Sequence, residues 1–341
     1  MLIVHSETHR QHAPRYFLVR GAVQQNPEIP ERAERLLAAV RGSSNVVVEP
    51  DGIRDDVLAA VHTDDYLAFL RDAPAAWAAL TGAATEIVPN VHPNRYTTAR
   101  PRGIVGRAGY HQADTSCPIG PGTFAAACAA AACAVHATRA VLGGARVAYA
   151  LCRPPGHHAY ADIAGGFCYL NNVAIAAALA RTVHGRVAIL DVDVHHGNGT
   201  QGIFYDRPDV LFVSVHADPS NYYPYFAGYA DERGAGAGVG ANLNLPLPHG
   251  TGDAGYLEAL ERGLDAIRRF APGLVLVSLG FDASEHDPLG VLKVTRAGFA
   301  EIARRVAALA LPTVLIQEGG YLSDHLGGLL VAFLGGFEAA R

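Results

Sequence analysis

The chain has 341 residues, 50% of them hydrophobic and 17% charged, enough apolar mass for one large α/β domain or two small ones. Its formal net charge of −5 argues against a nucleic-acid-binding surface, and no run of like charge suggests a tail. Met1 leads directly into Leu2-Ile3-Val4, so no signal peptide is expected. The longest apolar run, Phe124 to Val135, is mostly alanine and reads as too short to span a bilayer. The five cysteines (Cys117, Cys128, Cys133, Cys152 and Cys168) have no CxxC spacing and read as reduced thiols of a cytoplasmic protein.

Leu2 to His5 reads as a first strand, and the polar stretch Glu7 to Asn26 as a loop over a site. Pro30 to Val40 has helical spacing at Ala33, Leu36, Leu37 and Val40 behind an initial proline. Asp55 to Val61 and Asp64 to Leu70 predict short helices with acidic starts. From about Thr81 to Pro121 the periodicity dissolves into Pro, Gly, Asn, Arg and Thr, the mark of a functional insertion. Thr123 is expected to cap a long alanine-rich helix ending near Gly143-Gly144.

From Arg146 onward the rhythm is strand, polar cluster, helix. Apolar runs at 146–152, 187–192, 210–215, 274–279 and 313–316 are followed by His157-His158, by Asp193 and His195, by His216 and Asp218, by Asp282, and by Glu318 to Tyr321. Helical stretches lie between them, at 172–181, 253–270 and 296–310. This alternation implies a parallel sheet with helices on both faces. Ligands of such sheets bind at the carboxyl ends of the strands, so the clusters are expected to meet at one edge. No repeat or linker divides the chain, which is read as a single domain over 1–341 with an insertion at about 81–121.

Asp193 and His195 are i and i+2, and on an extended chain they share a face. With Asp282 they offer two carboxylates and one imidazole. Three protein ligands leave a position open for water, the catalytic arrangement of zinc, and a bound metal makes such water a nucleophile near neutral pH. Iron or cobalt suits the same donors. His157 and His158 follow two prolines and a glycine, so both rings can face the metal and carry protons, with Asp191 as partner for one imidazole. Tyr321, in a glycine-flanked turn, can donate to a developing oxyanion.

The segments Arg153–His158, Gly165–Asn172, Asp191–Thr200, Leu279–Asp282 and Glu318–Tyr321 closely resemble the histone deacetylase superfamily, in its bacterial acetylpolyamine amidohydrolase branch. The resemblance implies the arginase–deacetylase α/β fold with a central eight-stranded parallel sheet. It implies one zinc per chain on Asp193, His195 and Asp282, a His157–Asp191 dyad, His158 as general base and acid, and Tyr321 polarising the acetyl carbonyl. It also implies a structural potassium ion on Asp191, Ser214 and the main-chain oxygens of Asp193, His195 and Val215. Phe167 and Tyr223 match the aromatic walls of the substrate channel, which is expected to include Gly166 and Cys117.

The implied substrate is a small acetylated polyamine or diamine, hydrolysed by a homodimer that meets no membrane. The alternative is an acetyl-lysine protein deacetylase of the same superfamily. A binuclear arginase-like hydrolase would need carboxylates where this chain has Gly197 and Ser284. Three departures stand out. Asn198 replaces the aspartate that many eukaryotic members place beside the second histidine; it can orient His158 but not favour its cation. Tyr223 stands where phenylalanine is usual. The insertion resembles a segment that, in the polyamine branch, mediates dimerisation and narrows the channel. Glu86, Asp114 and Glu7 are the acidic candidates for gripping ammonium groups.

Overall fold

The computed structural model describes residues 1–41, 45–97 and 99–340; Thr98, within the expected insertion, lies outside them. Strand β1 (Leu2–Val4) is followed by a short 3-10 helix (Glu7–Gln11) and an antiparallel hairpin, β2 (Tyr16–Val19) and β3 (Ala22–Gln25). The expected open loop at 7–26 is therefore partly structured. Helix α1 (Pro30–Val40) matches its predicted span, because proline sits where the first-turn N–H needs no partner. Next come β4 (Val46–Val48), α2 (Asp55–Ala59), α3 (Asp64–Ala78) and α4 (Ile104–His111).

The long helix α5 (Thr123–Leu142) leads to β5 (Val147–Ala150), α6 (Asn172–Ala180), β6 (Val187–Asp191), α7 (Asn198–Phe204) and β7 (Val210–Ala217). The chain ends with β8 (Asn242–Leu247), α8 (Asp253–Phe270), β9 (Val275–Leu279), α9 (Arg296–Ala307), β10 (Thr313–Gln317) and α10 (Leu326–Ala339).

Eight strands form one sheet in the order β4-β1-β5-β10-β9-β6-β7-β8, every pairing parallel. The buried strands alternate between two cores, as a period of two demands. Ala188 and Leu190 of β6 point to the layer formed by α1, α8, α9 and α10. Val187 and Ile189 point to the layer of α5 and α6. The sequence reading lacked the two edge strands. β4 is only three residues long, and β8 carries Asn242, Asn244 and Pro246, a proline pattern tolerated at a sheet edge.

Helix α5 is packed on two sides. Ala130, Ala134 and Ala137 face the sheet, while Ala127, Ala131 and Val135 face α3 and the insertion. A helix apolar all round is a buried one, and alanine lets it approach both layers closely. Its 20 residues make it long and apolar enough to cross a membrane by length and composition, a correction to the shorter apolar run read from sequence, and most of it is buried within the protein. Thr123 is its first helical residue and not its cap. The Thr123 hydroxyl instead accepts from the Gly120 N–H at 2.8 Å and lies 3.0 Å from His12 Nδ1.

The expected structureless insertion holds α4 and buries Ile87, Ala108, Cys117 and Ile119 in the same core as α3 and α5. Ala134→Leu, which forces a larger side chain between α5 and the sheet, should lower stability by about 1–3 kcal/mol. Urea denaturation reads this as a lower midpoint; an unchanged midpoint would show that the helix–sheet contact is loose.

Candidate active site

Asp191 ends β6, and its carboxylate turns the chain that follows. Its Oδ1 accepts the Asp193 N–H at 3.1 Å, and its Oδ2 accepts from His157 Nδ1 at 2.9 Å. Asp193 Oδ1 accepts the His195 N–H at 2.9 Å, Asp193 Oδ2 accepts the Gly319 N–H at 2.8 Å, and Asp282 Oδ1 accepts the Val194 N–H at 3.0 Å. Main-chain amides from two strand ends, after β6 and after β10, thus hold two side chains that share no sequence neighbourhood. At Gly319 a Cβ would sit 2.1 Å from Asp282 Oδ2 and 2.5 Å from Asp193 Oδ2, so this turn passes the carboxylates only as glycine.

The result brings Asp193, His195 and Asp282 together, with donor atoms within 4.8 Å of one another. His195 Nδ1 lies 3.1 Å from Asp193 Oδ1 and 3.2 Å from Asp282 Oδ2. Burial opposes a charge on His195, but the two carboxylates outweigh it and push the imidazole pKa up to about 9. A buried pocket that draws positive charge this strongly, built of one nitrogen and several oxygens, fits a divalent metal. Asp191 pairs in register with Ser214 of β7, whose hydroxyl lies 2.8 Å from His216 Nδ1.

The two adjacent histidines have different partners. Burial disfavours a charge on His157, yet Asp191 and Asp193 raise its pKa to about 10. His158 donates through Nδ1 to Asn198 Oδ1 at 2.6 Å, and the Asn198 amide in turn donates to the Tyr160 hydroxyl at 3.1 Å. Burial, then the neighbouring His157 and His195, drive the His158 pKa well below its ordinary value. A neutral ring with its Nδ1 proton committed to Asn198 leaves Nε2 as an acceptor.

Above these groups opens a cavity of about 610 Å³ lined by His158, His195, Gly166, Phe167, Tyr223 and Tyr321 among others. Phe167 packs edge-on against Tyr321 and against Phe17. Gly166 has φ +51°, and a Cβ there would meet His158 Cδ2 at 2.5 Å. Cys117 does not line the cavity, contrary to expectation. It is fully buried in the core beneath the insertion, where burial pushes its thiol pKa well up. Of the three acidic candidates, only Asp114 lies on the cavity wall, accepting from the Tyr223 hydroxyl at 2.8 Å and the Gly166 N–H at 3.1 Å. Glu86 is buried against Arg15 at 2.9 Å, and Glu7 pairs with Arg10 at 2.9 Å.

Sequence reasoning overlooked several supports. Glu318 Oε2 accepts the Gly156 and His157 N–H groups at 2.6 and 3.1 Å, and burial raises its pKa to about 7. Asp287 accepts the Tyr321 N–H at 2.7 Å. Arg32 donates to the carbonyls of Gly320 and Glu318 at 2.7 and 2.8 Å and lies 4.7 Å over the Tyr321 ring. Tyr222 stacks on His195 at 4.8 Å. Glu318 stands inside the Glu318–Tyr321 motif and Tyr222 beside Tyr223, and those positions were the available signal; nothing in the sequence links Arg32 to Tyr321.

Asn198→Asp tests the His158 environment. A carboxylate at the same 2.6 Å contact favours the imidazolium, so the His158 pKa should rise by about one unit or more. Histidine NMR titration measures it, and no rise would mean that position 198 does not partner this ring.

The histone deacetylase domain model matches residues 26–336. The chain is 48% identical over 334 residues to the acetylpolyamine amidohydrolase of Burkholderia pseudomallei, covering 97% of this chain and 96% of that one. It is 44% identical to acetylpolyamine amidohydrolase 1 of Pseudomonas aeruginosa, covering 100% and 99%. The crystal structure of an acetylpolyamine aminohydrolase from Burkholderia pseudomallei superposes with a TM-score of 0.96 at 47% identity, over 100% of this chain and 99% of that one. Together with the parallel sheet and the strand-end cluster, these likenesses place the chain in the histone deacetylase superfamily, within its bacterial acetylpolyamine amidohydrolase branch.

Proposed function

We propose that this protein hydrolyses acetylated polyamines or diamines to acetate and the free amine. The observation that carries this reading is the meeting of Asp193, His195 and Asp282 with His158 and Tyr321 at an aromatic-walled cavity; the whole-length likeness to acetylpolyamine amidohydrolases supports the substrate class. Asp193, His195 and Asp282 would hold one divalent metal, zinc by preference, with Fe2+ or Co2+ as alternatives. When bound, the metal polarises the acetyl carbonyl and lowers the pKa of water. The oxygens of Asp191, Ser214, Asp193, His195 and Val215 would hold structural potassium.

His158 acts as general base and acid. Asn198 holds its Nδ1 proton, and Nε2 receives a proton from the attacking water and returns it to the departing amine. His157, kept cationic beside Asp191, supplies fixed positive charge. Tyr321 donates its hydroxyl hydrogen to the carbonyl oxygen as negative charge develops. Burial raises its pKa well above the ordinary value, so it stays protonated. Phe167, Gly166 and Tyr223 confine the acyl chain, and Asp114 presents a carboxylate to an ammonium group at the cavity wall.

The chain works as one deacetylase domain in the cytoplasm, consistent with its five free thiols. Two copies meet through the 81–121 insertion, which exposes Val91 and Tyr96, and this contact narrows the channel.

Tyr321→Phe removes one hydroxyl. Its kcat should fall by about 10²–10³-fold while KM changes far less; a near-normal kcat would assign Tyr321 a structural role only. The substrate is tested by kcat/KM for acetylputrescine against an acetyl-lysine peptide. The small amine should win in the wild type, and Val91→Asp with Tyr96→Asp should yield monomers with a lower ratio. Preference for the peptide in the wild type would favour the protein-deacetylase alternative.

A further inference from the structure

Away from the cavity, the chain leaves β1 and turns at once into the 3-10 helix Glu7–Gln11. This turn carries His5 and His9, whose rings lie 5.0 Å apart. The two residues are only 3% and 2% exposed, yet none of their four ring nitrogens has a partner at ordinary hydrogen-bond geometry, the Leu151 main chain acting on His5 only as a looser neighbour. Buried polar atoms without partners are uncommon in folded proteins. One ligand atom from each ring and one from the Glu7 carboxylate all lie within 4.8 Å of one another. His5 Nε2 lies 3.9 Å from Glu7 Oε1.

We propose that His5, Glu7 and His9 form a second divalent-metal site, separate from the Asp193–His195–Asp282 centre, and that it takes a borderline transition ion of the zinc class. Two imidazoles and one carboxylate are the ligand chemistry such ions choose. Metal–ligand bonds of about 2.0–2.2 Å put tetrahedral donors about 3.4 Å apart, so the set contracts on the ion. Glu7 is the half-exposed member and supplies that movement, leaving Arg10, which now holds it at 2.9 Å, and the more distant Arg41 at 3.9 Å.

The surroundings keep the imidazoles in their ligating form. Burial lowers the His5 pKa, against Glu7, the Leu151 carbonyl and Glu49, which favour its cation. Burial, then His5 and Arg153, push His9 down to about 3. Glu49 adds a further carboxylate, accepting the Glu7 N–H at 3.4 Å. The His9 carbonyl accepts from Arg153 at 2.7 Å, so an ion here fastens the turn on which the buried Arg153, at the head of the catalytic histidine loop, is seated.

The test is a metal count on the full chain, stripped with chelator, dialysed against Zn2+ and read by elemental mass spectrometry. Wild type should bind two equivalents. Asp282→Ala should keep one, the second-site ion, which separates this proposal from the reading of the catalytic centre. His9→Gln should also keep one, the catalytic ion. Glu7→Gln, at an exposed position that leaves the core intact, should weaken the second equivalent by about tenfold or more, since loss of a ligand costs no less than loss of an outer partner. A single equivalent in wild type that Asp282→Ala abolishes would overturn the proposal. So would two equivalents of unchanged affinity in Glu7→Gln, even if His9→Gln does not fold.

Discussion

Four carboxylates, those of Asp191, Asp193, Asp282 and Glu318, are completely buried at one edge of the sheet. A buried charge without partners is prohibitively costly, so their compensation governs the local fold. Part of it comes from main-chain amides. Asp193, Val194, His195, Gly156, His157 and Gly319 each donate an N–H to one of these carboxylates. More comes from the Ser278 hydroxyl beside Glu318 and from His157, whose pKa is raised to about 10 by Asp191 and Asp193. Parallel strands make this possible because all of them deliver their loops to the same edge.

A second buried ionic chain supports the opposite wall. Glu28 Oε1 lies 2.6 Å from Arg32 and 2.9 Å from Arg153. Arg32 reaches the Glu318–Tyr321 turn, and Arg153 begins the loop that leads to His157 and His158. One carboxylate therefore orients both the hydroxyl donor and the proton-transfer loop, from the segment just before α1, far from either in sequence. Pairing two cations with one anion leaves net positive charge behind Tyr321, where negative charge develops during amide hydrolysis.

The polar arms of the site differ in how tightly they are held. His158 sits in a relay of Asn198 and Tyr160, neutral throughout, so its basicity is set first by burial and by the neighbouring His157 and His195, with Asp193 and the Asn198 hydrogen bond opposing them. Tyr223 is fixed by Asp114, a residue of the insertion. The hydroxyl that distinguishes this wall from a phenylalanine wall thus serves to bind the insertion to the cavity. Insertion and catalytic wall are one packed unit, with Ile87 and Ile119 buried against α5.

Much of this was legible in the residues. Apolar runs bounded by polar clusters mark β5, β6, β7, β9 and β10, because buried parallel strands are apolar on both faces. The order of the clusters foretold that Asp193, His195, Asp282, His157, His158 and Tyr321 converge. Local chemistry also placed α1 and α8, where amphipathic spacing is strong. What sequence did not determine depends on contacts between distant segments. The edge strands β4 and β8 are short or polar and exist because a neighbour offers a ladder. Helix α4 is held by burial against α3, not by its own pattern. Cys117 is adjacent in sequence to cavity residues yet turns into the core, and Arg32 reaches the Gly320 carbonyl, beside Tyr321, across 288 positions. The sequence specifies which groups are present and which segments favour strand or helix. Only the packed tertiary structure decides which buried charge finds which partner, since that choice is made by proximity and desolvation, not by spacing along the chain.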